Sequence, residues 1–220
     1  MFMTIYSHMK LKLCTYGAVL GLALSAGVAQ AEPLAQKLQS FEALQASFTQ
    51  TVTDPQGQEI ASSEGTIALK RPQSFMLHTQ IPDESYLYTR DDGVYYFDAF
   101  INQLTIMPLS SLQNSPFALL LEKSNGNDSS AWQDWEVQEL IKSSVYELKP
   151  KTGTAAAQMG GASAVRTLKL TFTGRYLNSV EVSFADGNSN HYALSGQKFT
   201  VSESDFACTI PSDAEVADER

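Results

Sequence analysis

Apolar side chains recur at Leu34, Leu38, Phe41 and Leu44, the spacing of one helix face, and Pro33 suits a first helical turn. This spacing predicts an amphipathic helix over residues 34–44. The period then drops to two. In "QASFTQTVTD" Ala46, Phe48 and Val52 fall on one face while Ser47, Thr49, Thr51 and Thr53 fall on the other, which predicts a strand with one wet side. "DPQG" is turn chemistry. Strands are predicted next at 65–70, 74–80, 85–90, 94–100 and 102–109, separated by "RP", "PDE", "DDG" and a short bend. Turn signals at such regular intervals predict an antiparallel meander. "SPFALLLEK" interrupts it with a short, apolar helix over 115–123, Ser115 as its cap and Pro116 in its first turn. Strands return at 134–140, 144–150, 166–174, 176–187 and 190–196. The Ala-Gly stretch 152–164 predicts an exposed loop. "DFACTIP" predicts a last strand and "SDAEVADER" a charged tail.

The first 31 residues follow a different logic. Lys10 and Lys12 precede the uncharged run 13–29, and Ala29-Gln30-Ala31 places small residues where a signal peptidase reads. These features predict a secretory signal peptide over 1–31, headed by Met1 or Met9, and a single mature domain over 32–220. "LKLC" lacks the small residues that precede an acylated cysteine, so Cys14 predicts no lipid anchor. After residue 31 there are 24 acidic and 13 basic side chains, a balance of −11. Such a surface disfavours nucleic acid and anionic lipid and suits a basic protein partner. Cys208 alone remains, so stability rests on a core without an internal disulfide; Cys208 reads as a small buried residue.

The chain is poor in reactive constellations. His78 and His191 stand mid-strand without ligand spacing, and there is no nucleophile elbow, zinc motif, EF-hand or P-loop. No catalytic residue, metal or cofactor is expected. What the chain does carry is surplus apolar bulk. "VYYFDAF", "SYLYT" and "FMLH" load both faces of their strands. Two outcomes fit: a sheet covered by helices on one side and by tyrosines with wet hydroxyls on the other, or a curved sheet holding an apolar ligand under a lid.

"LQASFTQTVTD", "KRP" with Phe75 three residues beyond the proline, "PDES", "DGVYYFDAF" and "SPFALLLEK" stand in the order and spacing of the LolA family, which the chain resembles from its first helix to about residue 135 and again in "HYALSGQ" and the end. The resemblance implies a mainly β fold with a few helices: an open antiparallel barrel, covered by a helical lid, enclosing an apolar cavity. It implies a monomeric periplasmic chaperone with no enzymatic step. Triacylated lipoproteins would arrive from an inner-membrane lipoprotein-releasing ABC transporter and pass to LolB, the outer-membrane acceptor. Arg71 maps onto a lid-gating arginine that bonds lid carbonyls, Phe75 onto an aromatic used in loading, and Leu38, Phe117 and Leu120 onto lid residues facing the cavity. Leu77, Tyr86, Tyr88 and Phe97 are added as further acyl-chain contacts from their apolar pattern. The departures are Ala68-Leu69 and Leu77 where some relatives carry aromatics, Ala99 where proline is common, and a short "SESDF" near the end. A related periplasmic lipoprotein- or stress-sensing binding domain is the alternative; it usually carries a second domain, for which 189 mature residues leave little room.

Overall fold

The computed structural model describes residues 34–113, 117–121, 134–154 and 164–220, so the expected signal peptide lies outside the described residues, as does most of the Ala-Gly loop. Chain order is α1 (Leu34–Gln39), β1 (Ala43–Thr53), β2 (Glu59–Lys70), β3 (Ser74–Ile81), β4 (Ser85–Arg90), β5 (Gly93–Asp98), β6 (Gln103–Met107), α2 (Ser110–Gln113), α3 (Ala118–Leu121), β7 (Trp135–Ile141), β8 (Val145–Pro150), β9 (Val165–Thr173), β10 (Tyr176–Phe184), β11 (Ser189–Lys198) and β12 (Glu215–Asp218). The strands form one sheet ordered β12-β6-β5-β4-β3-β2-β1-β11-β10-β9-β8-β7. All neighbours are antiparallel except β12, which runs parallel to β6 from Glu215 opposite Gln103 to Asp218 opposite Ile106. Among the described residues β7 and β12 remain unpaired to each other, so the sheet is unclosed.

The turn signals work as chemistry demands. Asp54 accepts amide hydrogens from Gln56 and Gln58 at 2.9 and 2.8 Å to shape the β1–β2 hairpin. "RP", "PDE" and "DDG" sit between successive strands of the meander. Side chains then alternate across the sheet. Leu44, Ala46 and Phe48 share the inner face with Leu69, Ile67, Phe75 and Leu77 by register, and with Leu170, Leu168, Val180 and Val182 further along. Gly65 belongs to this face. A Cβ there would stand 2.0 Å from the His78 carbonyl oxygen and 2.9 Å from the Phe48 ring, so only glycine lets β2 and β3 close up at this point.

Two expectations need correction. The helix stripe was predicted to reach Leu44, but α1 stops at Gln39 and Leu44 is the second residue of β1. Leu44, Ala46 and Phe48 alternate, and a strand paired on both sides outweighs one further turn of helix. The last strand is not "DFACTIP": that segment begins with a single 3-10 turn, Glu203–Phe206, and crosses the outer face irregularly. The strand forms instead in the charged tail, where β12 covers the β6 edge.

Candidate functional site

The inner face carries the large core: Leu34, Leu38 and Phe41 from the α1 region, Phe117, Leu119, Leu120 and Leu121 around α3, and strand residues from β1–β3 and β8–β11. Its side chains are almost entirely removed from water; Leu44, Leu69, Leu148, Leu168 and Leu170 are fully buried. Phe117 sits at its centre, with ring centroids 5.2 Å from Phe75 on β3 and 5.4 Å from Tyr192 on β11. Those strands are three positions apart in the sheet, about 14 Å on a flat surface. One ring reaches both because the sheet curls inward around it. Phe48 meets Tyr192 edge-on at 6.0 Å, completing the aromatic cluster.

Two buried cations fasten α1 over this face. Lys37 donates from Nζ to the Gly174 carbonyl at 2.9 Å, in the β9–β10 turn, and lies over the Phe172 ring at 5.4 Å. From the end of β2, Arg71 donates from Nη1 to the carbonyl of Phe41, just beyond α1, and its guanidinium stacks over the Phe41 ring at 4.6 Å. Phe41 in turn packs on Phe199 at 5.8 Å, and Phe199 carries Arg175 at 3.7 Å. Arg71 is 8% exposed, and among the described residues its Nε and Nη2 find no acceptor. Burial pulls its guanidinium down from the ordinary value, against the opposing pull of the Glu42 carboxylate. A guanidinium with five donors and one paired in this way is a costly object to bury.

The eight positions expected to line one apolar cavity fall into two groups. Leu38, Phe75, Phe117 and Leu120 lie in the inner core, and half-buried Leu77 packs against it. Tyr86, Tyr88 and Phe97 do not join them. They stand on the outer face with Ala68, Met76, Tyr95, Leu104 and Ile106, beneath Phe206, Cys208, Ile210 and Ala214 of the C-terminal segment. The physical reason is the period of two within each strand: Leu77 pairs with Leu87, while Met76 pairs with Tyr88, Tyr88 with Tyr95 and Tyr86 with Phe97, so this second set lies on the opposite face from Phe75 and Leu77. The outer face is also more polar. Tyr86 donates to Glu84 at 2.7 Å and stacks on His78 at 4.1 Å, while Tyr95 donates to Asp92 at 2.9 Å. Hydrogen bonds from Tyr86 and then His78 hold the Glu84 carboxyl below its usual range; burial pushes the Tyr88 phenol up. A cavity of about 160 Å³ opens here between Gln45, Thr66, Met76, His78, Tyr86 and Asp205.

Lys37 was the residue missed. It lies on the helix stripe between Leu34 and Leu38, at the i+3 position from Leu34, and a lysine on an apolar stripe is the signal that marks it. Phe41 belonged to the predicted stripe but had no assigned role. Tyr192 and Phe199 come from the far end of the chain, and no local pattern joins them to Phe117 or Phe41.

A family model described as "Outer membrane lipoprotein carrier protein LolA" matches residues 39–209. An outer-membrane lipoprotein carrier protein from Shewanella amazonensis is 30% identical over 208 residues, covering 93% of this chain and 95% of its own. One from Pseudoalteromonas translucida is 32% identical over 215 residues, covering 94% and 97%. Among solved structures, a LolA superfamily protein from Nitrosomonas europaea is similar at a TM-score of 0.44 and 11% identity, covering 80% of this chain and 96% of that one, a likeness too loose to argue from. With the family model spanning most of the described strands and relatives matched nearly end to end, the chain belongs to the LolA family.

Proposed function

We propose that the chain is a periplasmic carrier of lipoproteins bound for the outer membrane, sheltering their acyl chains against the inner face. Cargo would arrive from an inner-membrane ABC transporter and leave for the acceptor LolB. The observation that carries this reading is the apolar inner face under α1 and the residues around α3, fastened at α1 by Lys37 and Arg71.

The need for shelter is large. Each methylene left in water costs about 0.8 kcal/mol, so several long acyl chains cost tens of kcal/mol. In the closed form Phe117 occupies the space between Phe75 and Tyr192. An entering acyl chain takes that place by displacing the α3 residues, and Leu38, Phe75, Leu77 and Leu120 then line it. The lid must also let go. Arg71 supplies the balance: its bond to the Phe41 carbonyl favours closure, while its unpaired Nε and Nη2 keep closure from becoming too favourable. Acyl chains and the closed helices thus compete for one surface, and the carrier needs two states only a few kcal/mol apart.

Titration of the mature protein with an environment-sensitive fluorescent fatty acid, followed by displacement with a triacylated lipopeptide, tests this. Saturable binding reversed by the lipopeptide is expected. Absence of binding to both the wild type and Arg71→Leu would leave a solid core and no carrier.

A further inference from the structure

Phe100 is the most exposed large apolar residue described, at 79%, and Ile101 beside it and Ile81 are each 56% exposed. Phe100 and Ile101 sit on the β5–β6 turn, and Ile81 ends β3 beside the neighbouring β3–β4 turn. Ser85 and Asp98 are register partners in β4–β5, and the Ala99 amide donates to the Glu84 carbonyl at 3.0 Å, tying the β3–β4 turn to the β5–β6 turn. The Phe100 turn is firmly built. Asp98 Oδ1 accepts the amides of Phe100 at 2.9 Å and Ile101 at 3.3 Å. Asn102, in the left-handed region at φ 51°, donates from Nδ2 to the Asp213 carbonyl at 3.3 Å and accepts the Glu215 amide at 2.9 Å. The backbone therefore holds Phe100 outward and prevents it from folding back onto the sheet.

The charge around this tip has one sign. Asp83, Glu84, Asp98, Asp213 and Glu215 stand on its three segments, and residues 81–84, 98–103 and 213–216 contain no lysine or arginine. An anionic bilayer surface repels such a rim, which removes the usual reason for a protruding phenylalanine. A protein socket with cationic edges attracts it. A pinned aromatic also loses little freedom on docking, so most of its burial reaches the binding free energy.

We propose that Ile81, Phe100 and Ile101 form a docking tip that seats in an apolar socket, rimmed by Lys and Arg, on a partner protein of the carrier cycle. This rests on the carrier reading, whose two protein partners are the transporter's periplasmic domain and the outer-membrane acceptor. The tip lies outside the inner core, so it recognises a partner without touching cargo.

The test uses the full mature chain and two independent readouts. Affinity is measured for the soluble transporter domain and the soluble acceptor, and fluorescent fatty-acid binding is measured separately. Phe100→Ser combined with Ile101→Ser should weaken at least one protein partner tenfold or more, with fatty-acid binding unchanged and Phe100→Trp retaining affinity. Asp83→Asn with Glu215→Gln should slow association with that partner and flatten its salt dependence. Wild-type affinity of the Phe100→Ser/Ile101→Ser variant for both proteins overturns the proposal. So does Phe100-dependent binding to phosphatidylethanolamine–phosphatidylglycerol vesicles with no protein partner affected. Failure of the wild type to bind the fatty acid strikes the carrier reading instead, and is distinguished by that second readout.

Discussion

The two faces of one sheet both bury apolar surface, the inner face much more of it, and they are covered in different ways. The outer face of β3–β6 lies under a continuous stretch of chain that ends in a paired strand, with Arg220 bonded to Asp92 and Asp218 at its end. Tyr86 and Tyr95 keep polar tips there and use them on Glu84 and Asp92. The inner face lies under α1 and the residues around α3, fastened by Lys37 and Arg71, and its strands offer almost purely hydrocarbon. Burial alone therefore does not mark a ligand surface. On the carrier reading proposed above, the strength of the cover does: a cover woven into the sheet stays in place, whereas one resting on it and fastened by a few polar contacts would lift.

The largest expected effect breaks the inner side. Phe75→Ala removes a ring that is 1% exposed and touches Phe117, and should cost about 3–5 kcal/mol in urea unfolding with an unchanged slope. A loss well below that range would mean the inner packing is looser than its burial implies. Next comes the fastening. Arg71→Leu should stay folded, because two unpaired donors leave with the cation while the Phe41 carbonyl loses its partner, a net change within about 2 kcal/mol. Its α1 amides should exchange faster, and it should retain bound fatty acid without passing it to the acceptor. Wild-type exchange and transfer would remove Arg71 from the gating role.

Acid sharpens the contrast from the other side. Glu84, Asp92, Asp205 and Asp218 are all held below their ordinary values, chiefly by hydrogen bonds from Tyr86, Tyr95, the Ser202 amide and Arg220, with Asp218 at about 2. A depressed carboxyl stabilises the fold above its unfolded value, roughly 4, and that contribution fades as pH falls through the folded value. The outer cover should thus loosen between about pH 4 and 2 before the inner core does. Dithiodipyridine labelling of Cys208, a half-buried residue of that cover packed against the outer face, should speed up before far-ultraviolet circular dichroism is lost. Labelling only at global unfolding would show the two covers to be equally secure. The smallest effect is Tyr88→Phe. Its hydroxyl is buried and, among the described residues, unpartnered, so the change should be neutral or stabilising by up to about 1 kcal/mol in the same urea assay.

Most of the meander was legible, because proline, Asp-Gly and Asp-Pro turns punctuate strands whose alternation is strong. The helix end was not: Leu44 satisfies a helical and an alternating pattern at once, and only pairing with both β2 and β11 decides. The tail misled because EVAD is charged and short; it becomes a strand by meeting an edge laid down more than a hundred residues earlier. The site divides on the same principle. Leu38, Phe75, Phe117 and Leu120 could be grouped by pattern and resemblance, but placing Tyr86, Tyr88 and Phe97 required knowing which parity faces inward. Phe100 was assigned to a strand, and its turn is set by Asp98 and by contacts with the far end of the chain.

Gly65 has a consequence for both surfaces together. The hydrogen where a Cβ would stand lets the backbones of β2 and β3 meet beside Phe48, and fixes which residues of the hairpin face each other. A slip of one place would turn the oily side outward and bring tyrosine hydroxyls into the hydrocarbon. The smallest residue in the protein is thereby a guard of its sidedness.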